Sequence, residues 1–179
     1  MAQEFRIRKS PHDSKLLVVH PAGYAKDAYP LYCIKPSSKK PNVIVSRGPM
    51  SPATTVGFAT LHSFSSKIDA SVRGQAIPMK GSAFSDKFTL NVPHLGTFKW
   101  KESFFSGSLE LYDSSGQKLA KLGSAGTFSS EKKLELMVPC DDFFMDIVVL
   151  SGIAARQATK NAEEAVEGAV DAVSAAAGV

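Results

Sequence analysis

"CDDFFMDIVVLSGIAARQ", residues 140–157, decides the fold. Phe143, Phe144, Met145, Ile147, Val148, Val149, Leu150, Ile153, Ala154 and Ala155 form an apolar run broken only by Asp146, Ser151 and Gly152. Asp141 or Asp142 supplies an N-cap oxygen and a charge suited to the positive end of a helix. Pro139, just ahead, sets off the segment before it. The run spans about 13 residues, fewer than the roughly 20 that a membrane-spanning helix needs. A central Asp is also costly in lipid. A surface helix would need a wider polar face, and only Asp146, Ser151 and Gly152 interrupt the apolar one. A helix that is apolar nearly all round in a soluble chain is buried, so the preceding residues must enclose it.

Those residues read as strands. Short β-rich runs alternate with Gly, Pro, Ser and Asp clusters, the pattern of a sandwich or barrel. The expected strands are Glu4–Arg8, Lys15–His20, Leu31–Lys35, Asn42–Ser46, Thr54–His62, Ile68–Val72, Phe88–Val92, Thr97–Glu102, Gly107–Tyr112, Lys118–Leu122 and Lys132–Val138. In "FRIR" Phe5 and Ile7 oppose Arg6 and Arg8; in "FKWK" Phe98 and Trp100 oppose Lys99 and Lys101. Period-two alternation marks a sheet with one buried and one wet face. "YDSSGQKLA" predicts a hairpin turning on Asp113–Gly116. The expectation is a mainly β fold: a closed antiparallel barrel of about 11–12 strands around a buried C-terminal helix that starts near residue 142. Residues 1–160 form that unit, and 161–179 an Ala-rich tail, helical or frayed, with Val166, Val170, Val173 and Ala177 as a thin apolar stripe.

Charge is placed unevenly. The formal net charge is +4, but residues from Asp141 onward hold seven acidic and two basic side chains. The first 140 residues therefore carry 19 basic and 10 acidic groups, a net of +9. A basic body with an acidic tail reads either as a solvated surface or as a face for anionic headgroups or nucleic acid. "MAQEFRIRKS" has no apolar run after its charges, so no secretory signal is expected. Cys33 and Cys140, far apart in sequence, give neither a disulfide framework nor zinc spacing. The reading is a reduced cytoplasmic protein, peripheral at membranes if it meets them, with a single bridge as the alternative.

"GTFKWKES" (96–103), "GSLELYDSSGQKLAKLG" (107–123) and "KLELMVPCDDFFMDIVVLSGIAARQ" (133–157) resemble the tubby C-terminal-like superfamily, which includes tubby proteins, phospholipid scramblases and LURP-one-related proteins. The resemblance is to its small single-domain fungal members. It implies a barrel threaded by its own last helix, with Asp142 and Asp146 as the acidic residues at the helix start, in capping and loop hydrogen bonding. Tubby domains bind phosphatidylinositol bisphosphate through basic residues on the barrel surface. The scramblase calcium segment is not matched, because Glu163, Glu164, Glu167 and Asp171 are spaced like a helix face. No proline-rich arm or palmitoylatable Cys cluster accompanies it, so scrambling is not expected.

Catalytic signatures are missing from the sequence. His12, His20, His62 and His94 lack metal-ligand spacing to one another or to Cys, Asp and Glu. HExxH, paired CxxC, EF-hand, Walker and GxSxG patterns do not occur. Ser114 and Ser115 read as turn residues. The chain is therefore expected to be a non-enzymatic binding module without cofactor or metal, recognising anionic phospholipid headgroups. Its candidate contacts are Arg6, Arg8, Lys99 and Lys101, outward by alternation, and Lys39 and Lys40 in a loop. The alternative is a protein-interaction role through the tail at 161–179. Nucleic acid is the weaker alternative, because aromatic platforms are not interleaved with the basic strands.

Overall fold

A computed structural model of the chain describes residues 2–63, 65–82, 85–104, 106–127 and 129–177, with side chains apart from those of 85–86 and 168–177. In chain order the elements are β1 (Gln3–Lys9), β2 (Leu17–Pro21), β3 (Tyr32–Pro36), β4 (Val43–Arg47), β5 (Thr55–Leu61), β6 (Lys67–Val72), β7 (Gln75–Ala76), β8 (Met79–Ser82), β9 (Ser85–Val92), β10 (Gly96–Glu102), β11 (Leu109–Tyr112), β12 (Lys118–Ser124), β13 (Lys132–Leu136) and α1 (Asp142–Ala177). All pairings are antiparallel. The sheet order β5-β4-β3-β2-β1-β13-β12-β11-β10-β9-β8-β6 closes on itself through a β5–β6 pairing, and two-residue β7 is appended to β6. The ring is thus a closed barrel of twelve strands, and closure removes the unpaired edges that an open sheet would leave.

All eleven strands expected from the sequence are present; β7 and β8 are additions. Alternation sorts the faces as expected. Phe5, Ile7, Leu90, Val92, Phe98, Trp100, Leu109, Leu111, Leu134 and Leu136 point inward and are buried. They surround the first part of α1, where Met145, Ile147, Val148, Val149, Leu150, Ile153, Ala154 and Ala155 are all buried. Asp141 caps the helix, its Oδ1 accepting from Phe144 N–H at 2.8 Å. Two polar atoms inside the barrel satisfy each other: Trp100 Nε1 donates to Ser151 Oγ at 2.9 Å. The indole lies against Gly152, where an added Cβ would sit 3.1 Å from Trp100 Cζ2 and 3.3 Å from Leu122 Cδ2. The glycine is therefore needed for close approach, not for its backbone freedom.

The helix runs from a near mouth, where it starts, to a far mouth, where Arg156 and Gln157 fasten it. Arg156 Nη1 donates to the Gly107 carbonyl at 2.7 Å, and Gln157 Nε2 to the Ser37 carbonyl at 3.2 Å. Beyond them the helix continues, and residues 160–167 are exposed. β1, β3, β5, β8, β10 and β12 end at the far mouth. Among the described residues no helix is long and apolar enough to cross a membrane. Cys33 is buried and Cys140 half-buried, and both are free thiols.

Candidate functional site

Two charged arrangements stand out, and they differ in kind. The first closes the near mouth. Asp146 lies one turn into α1 and is fully buried. Its Oδ1 accepts from Tyr32 Oη at 2.7 Å and Arg47 Nε at 2.8 Å; its Oδ2 accepts from Arg73 Nε at 2.8 Å and lies 2.7 Å from Arg73 Nη2. Arg47 also donates to the Asp142 carbonyl at 2.8 Å and packs over the Tyr32 ring, 5.1 Å from its centroid. Burial first, then the hydrogen bond to Asp146, holds the Tyr32 phenol far above the ordinary tyrosine range, so it remains a donor. Burial alone would lower the Arg47 guanidinium, but Tyr32 and Asp146 outweigh it and the shift is upward. Arg73 occupies the tight turn between β6 and β7 at φ +49°, followed by Gly74 at φ +77°. Asn-Gly is the usual sequence for such a turn; arginine stands here because its side chain reaches Asp146. Every lone pair that Asp146 offers to these donors is in use, so the cluster fastens the helix to two strands, β3 and β4, and to the β6–β7 turn. The capping expected of Asp146 is corrected, because Asp141 does the capping; Asp146 is an ion-pair centre whose bond to Arg73 in the β6–β7 turn is of the loop-bonding kind expected.

The second arrangement is on the outer wall. Register across the sheet aligns Lys67↔Lys80 on β6 and β8, Lys80↔Thr89 on β8 and β9, Thr89↔Lys99 on β9 and β10, and Lys99↔Tyr112 on β10 and β11. Two residues along, toward the far mouth, Lys87 on β9 faces Lys101 on β10. Thr89 therefore has Lys80 on one side, Lys99 on the other and Lys87 two residues before it, with Lys101 diagonal to it. Strands lie roughly 4.8 Å apart, so Lys80 and Lys99 straddle Thr89 at roughly twice that spacing. Lys80, Lys87 and Lys99 are exposed and have no acidic partner among the described residues. Lys67 is 3.0 Å from Asp69, both of them exposed.

Toward β12 the charge is neutralised. Glu110 binds Lys118 at 2.8 Å and accepts from Tyr112 Oη at 2.6 Å. Burial pushes Glu110 up, but the hydrogen bonds from Lys118 and Tyr112 win and hold it below the usual glutamate range. Lys101 and Lys118 lie over the Tyr112 ring at 4.7 and 5.8 Å from its centroid, so that ring is not open to a stacking base.

The six basic residues singled out from the sequence fall in three places. Lys99 and Lys101 belong to the lysine face. Lys39 and Lys40 are exposed in the far-mouth loop between β3 and β4. Arg6 is 2.7 Å from Glu4 on its own strand, and Arg8 donates to the Tyr24 carbonyl at 3.2 Å beneath the loop after β2. Lys67, Lys80 and Lys87 were missed. "KFTLNV" alternates, and period two puts Lys87 on the wet face with Thr89; Lys80 lies on a strand that the sequence did not announce.

No protein-family model matches the chain, and neither the curated proteins nor the solved structures yield a match.

Proposed function

We propose that this chain is a non-enzymatic binding module that takes anionic membrane lipid, phosphoinositide headgroups foremost, on the lysine face of β8, β9 and β10. One observation carries the reading: two like-charged pairs, Lys67↔Lys80 and Lys87↔Lys101, are set directly opposite each other across neighbouring strands. Such pairs destabilise a sheet, and a multivalent anion relieves both. Thr89 adds a hydroxyl at the centre of the cationic group. Near a negatively charged membrane each lysine contributes about 1 kcal/mol, so four contribute roughly three orders of magnitude in affinity. The resemblance to the tubby C-terminal-like superfamily supports the same direction, since a barrel closed about its own helix is the architecture it implies.

Flotation with phosphatidylcholine vesicles, with and without phosphatidylinositol bisphosphate, tests this reading. Binding should need the phosphoinositide, weaken with salt, and fall in Lys80→Glu/Lys99→Glu but not in Arg6→Glu. Binding that ignores headgroup charge, or survives the double substitution, overturns it.

A second reading has its own support. The helix extends past the far mouth with residues 160–167 exposed, Val166 at 65%. That suits a protein partner docking on 161–179. Deleting that segment should then abolish association and leave the barrel's urea midpoint unchanged.

A further inference from the structure

Among the described residues the far mouth is not filled. Where α1 leaves the barrel its side chains shrink to Ala158, Ala162 and Ala165. The wall opposite has Leu61, Ile68 and Phe88. Gly81, which faces inward beside them, contributes no side chain; an added Cβ would sit 3.1 Å from Ser66 Cβ and 3.2 Å from Phe88 Cε1. Between helix and wall lies an open groove of about 960 Å³, at the upper end of the roughly 300–1,000 Å³ typical of small-molecule pockets. It is a mixed cavity with an apolar floor and two polar lips.

The lips differ in charge. On the strand side stand Lys67 and Lys87 with the hydroxyl-bearing Ser63, Ser65, Ser66 and Ser82 and one carboxylate, Glu102, two cations against one anion. On the helix side stand Glu163 and Glu167, both exposed. Lys87 has no acidic partner among the described residues. The Lys67–Asp69 pair is exposed at both ends and so is weak enough to be exchanged. At the inner end Gln157 spends its Nε2 on the Ser37 carbonyl, leaving its Oε1 buried without a donor among the described residues. An orphaned buried acceptor is unfavourable, and a hydroxyl on an occupant would satisfy it.

We infer that this groove is a binding site for one molecule of a single-chain phospholipid with a zwitterionic head. The acyl chain lies along Leu61, Ile68, Phe88 and the alanines of α1, where it removes apolar surface from water. The phosphate meets Lys67, Lys87 and the seryl hydroxyls; the ammonium meets Glu163 and Glu167. A glycerol hydroxyl donates to Gln157 Oε1. A carboxylate head leaves the glutamate lip unmatched, and a bare alkylammonium leaves the lysine lip unmatched. The site shares Lys67 and Lys87 with the rim of the outer lysine face, but its acyl channel lies inside the mouth and does not depend on that face binding membranes.

Calorimetric titration of the full chain with myristoyl-lysophosphatidylethanolamine, below its micelle concentration and without vesicles, tests the inference. Myristate and tetradecylamine serve as comparison ligands. The expected result is one-to-one binding of the lysophospholipid, tighter than either comparison ligand by roughly tenfold or more. Ala162→Trp, which fills the groove from an exposed helix position, should abolish it. Lys87→Glu, a surface change that leaves the cavity open, should weaken it by roughly tenfold, while Lys99→Glu on the outer face, directly opposite neither Lys67 nor Lys87, should leave it unchanged. The inference is overturned by undetectable binding, by equal affinity for myristate or tetradecylamine, or by folded Ala162→Trp protein that binds like the wild type. Equal losses in Lys99→Glu and Lys87→Glu would also overturn it. Because the titration contains no vesicles, its failure leaves the flotation result untouched, and the reverse also holds.

Discussion

Replacing Asp146 with Asn keeps the shape of the side chain and removes its charge. In the native protein that carboxylate is fully buried and accepts from Tyr32, Arg47 and Arg73 over 2.7–2.8 Å. Breaking a buried pair by neutralising one partner costs about 3–5 kcal/mol, because the other charge is left uncompensated. The two guanidiniums bear that loss unequally. Arg73 has 44% of its side chain exposed and turns to water; Arg47, 27% exposed, keeps the Asp142 carbonyl. Screening of Arg73 places the expected loss at the low end, about 3 kcal/mol. A domain has a total stability of about 5–15 kcal/mol, so the variant should still fold. With a urea dependence of about 2 kcal/mol per molar, the midpoint should fall by roughly 1.5 M. Trp100, the single tryptophan, is fully buried and reports the transition by fluorescence. Adding Tyr32→Phe completes a double-mutant cycle. The two changes should couple by about 1 kcal/mol, since the phenol's charged acceptor is already gone in the first variant. A loss below about 1 kcal/mol for Asp146→Asn, in the range of an exposed pair, would refute the view that this cluster fastens the helix.

Two further substitutions probe the packing and the wall. Gly152→Ala gains about 1 kcal/mol of helix propensity but drives a methyl to 3.1 Å from the Trp100 ring; overpacking costs about 1–3 kcal/mol. The expected outcome is a net loss near 1 kcal/mol with a shifted Trp100 emission, and a net gain would show that the indole yields freely. Glu110, held below the usual glutamate range, contributes stability that is present above that range and lost as pH falls through its folded value. Wild type should therefore exceed Glu110→Gln by about 1 kcal/mol at neutral pH. The gap should close in acid, as read from urea midpoints across pH; a gap that is constant with pH would point to shape rather than charge.

Much of this architecture was legible in the sequence, for identifiable reasons. Strands such as "FRIR" and "FKWK" alternate cleanly, and the helix stands out because it is apolar all round. β8 did not stand out, because one of its two inward positions is Gly81 and Pro78 precedes it, so neither apolar period nor propensity marks it. The Asp146 cluster was invisible for a different reason. Its partners are 73, 99 and 114 residues away along the chain, and no local pattern encodes such a meeting. The lysine face lies between these cases. Alternation places Lys99 and Lys101 outward, but only register shows that Lys80 and Lys87 join them, and that Arg6 and Arg8 are occupied elsewhere. The far-mouth groove depends on residues that are absent in bulk, alanines and a glycine, and small side chains leave no hydropathic signature.

The ring closes in an order that matters while the chain is being made. β1 has two neighbours, β2 and β13, and the second is built from Lys132–Leu136. Synthesis proceeds at about 5–20 residues per second, so the first strand waits on the order of ten seconds for its second partner. Through that interval the nascent sheet has an open edge and an uncovered apolar face, because the helix that covers that face follows every strand. A ribosome-bound intermediate of this kind invites chaperone capture, and a chain stopped before residue 142 would retain that exposed lining for as long as it survives.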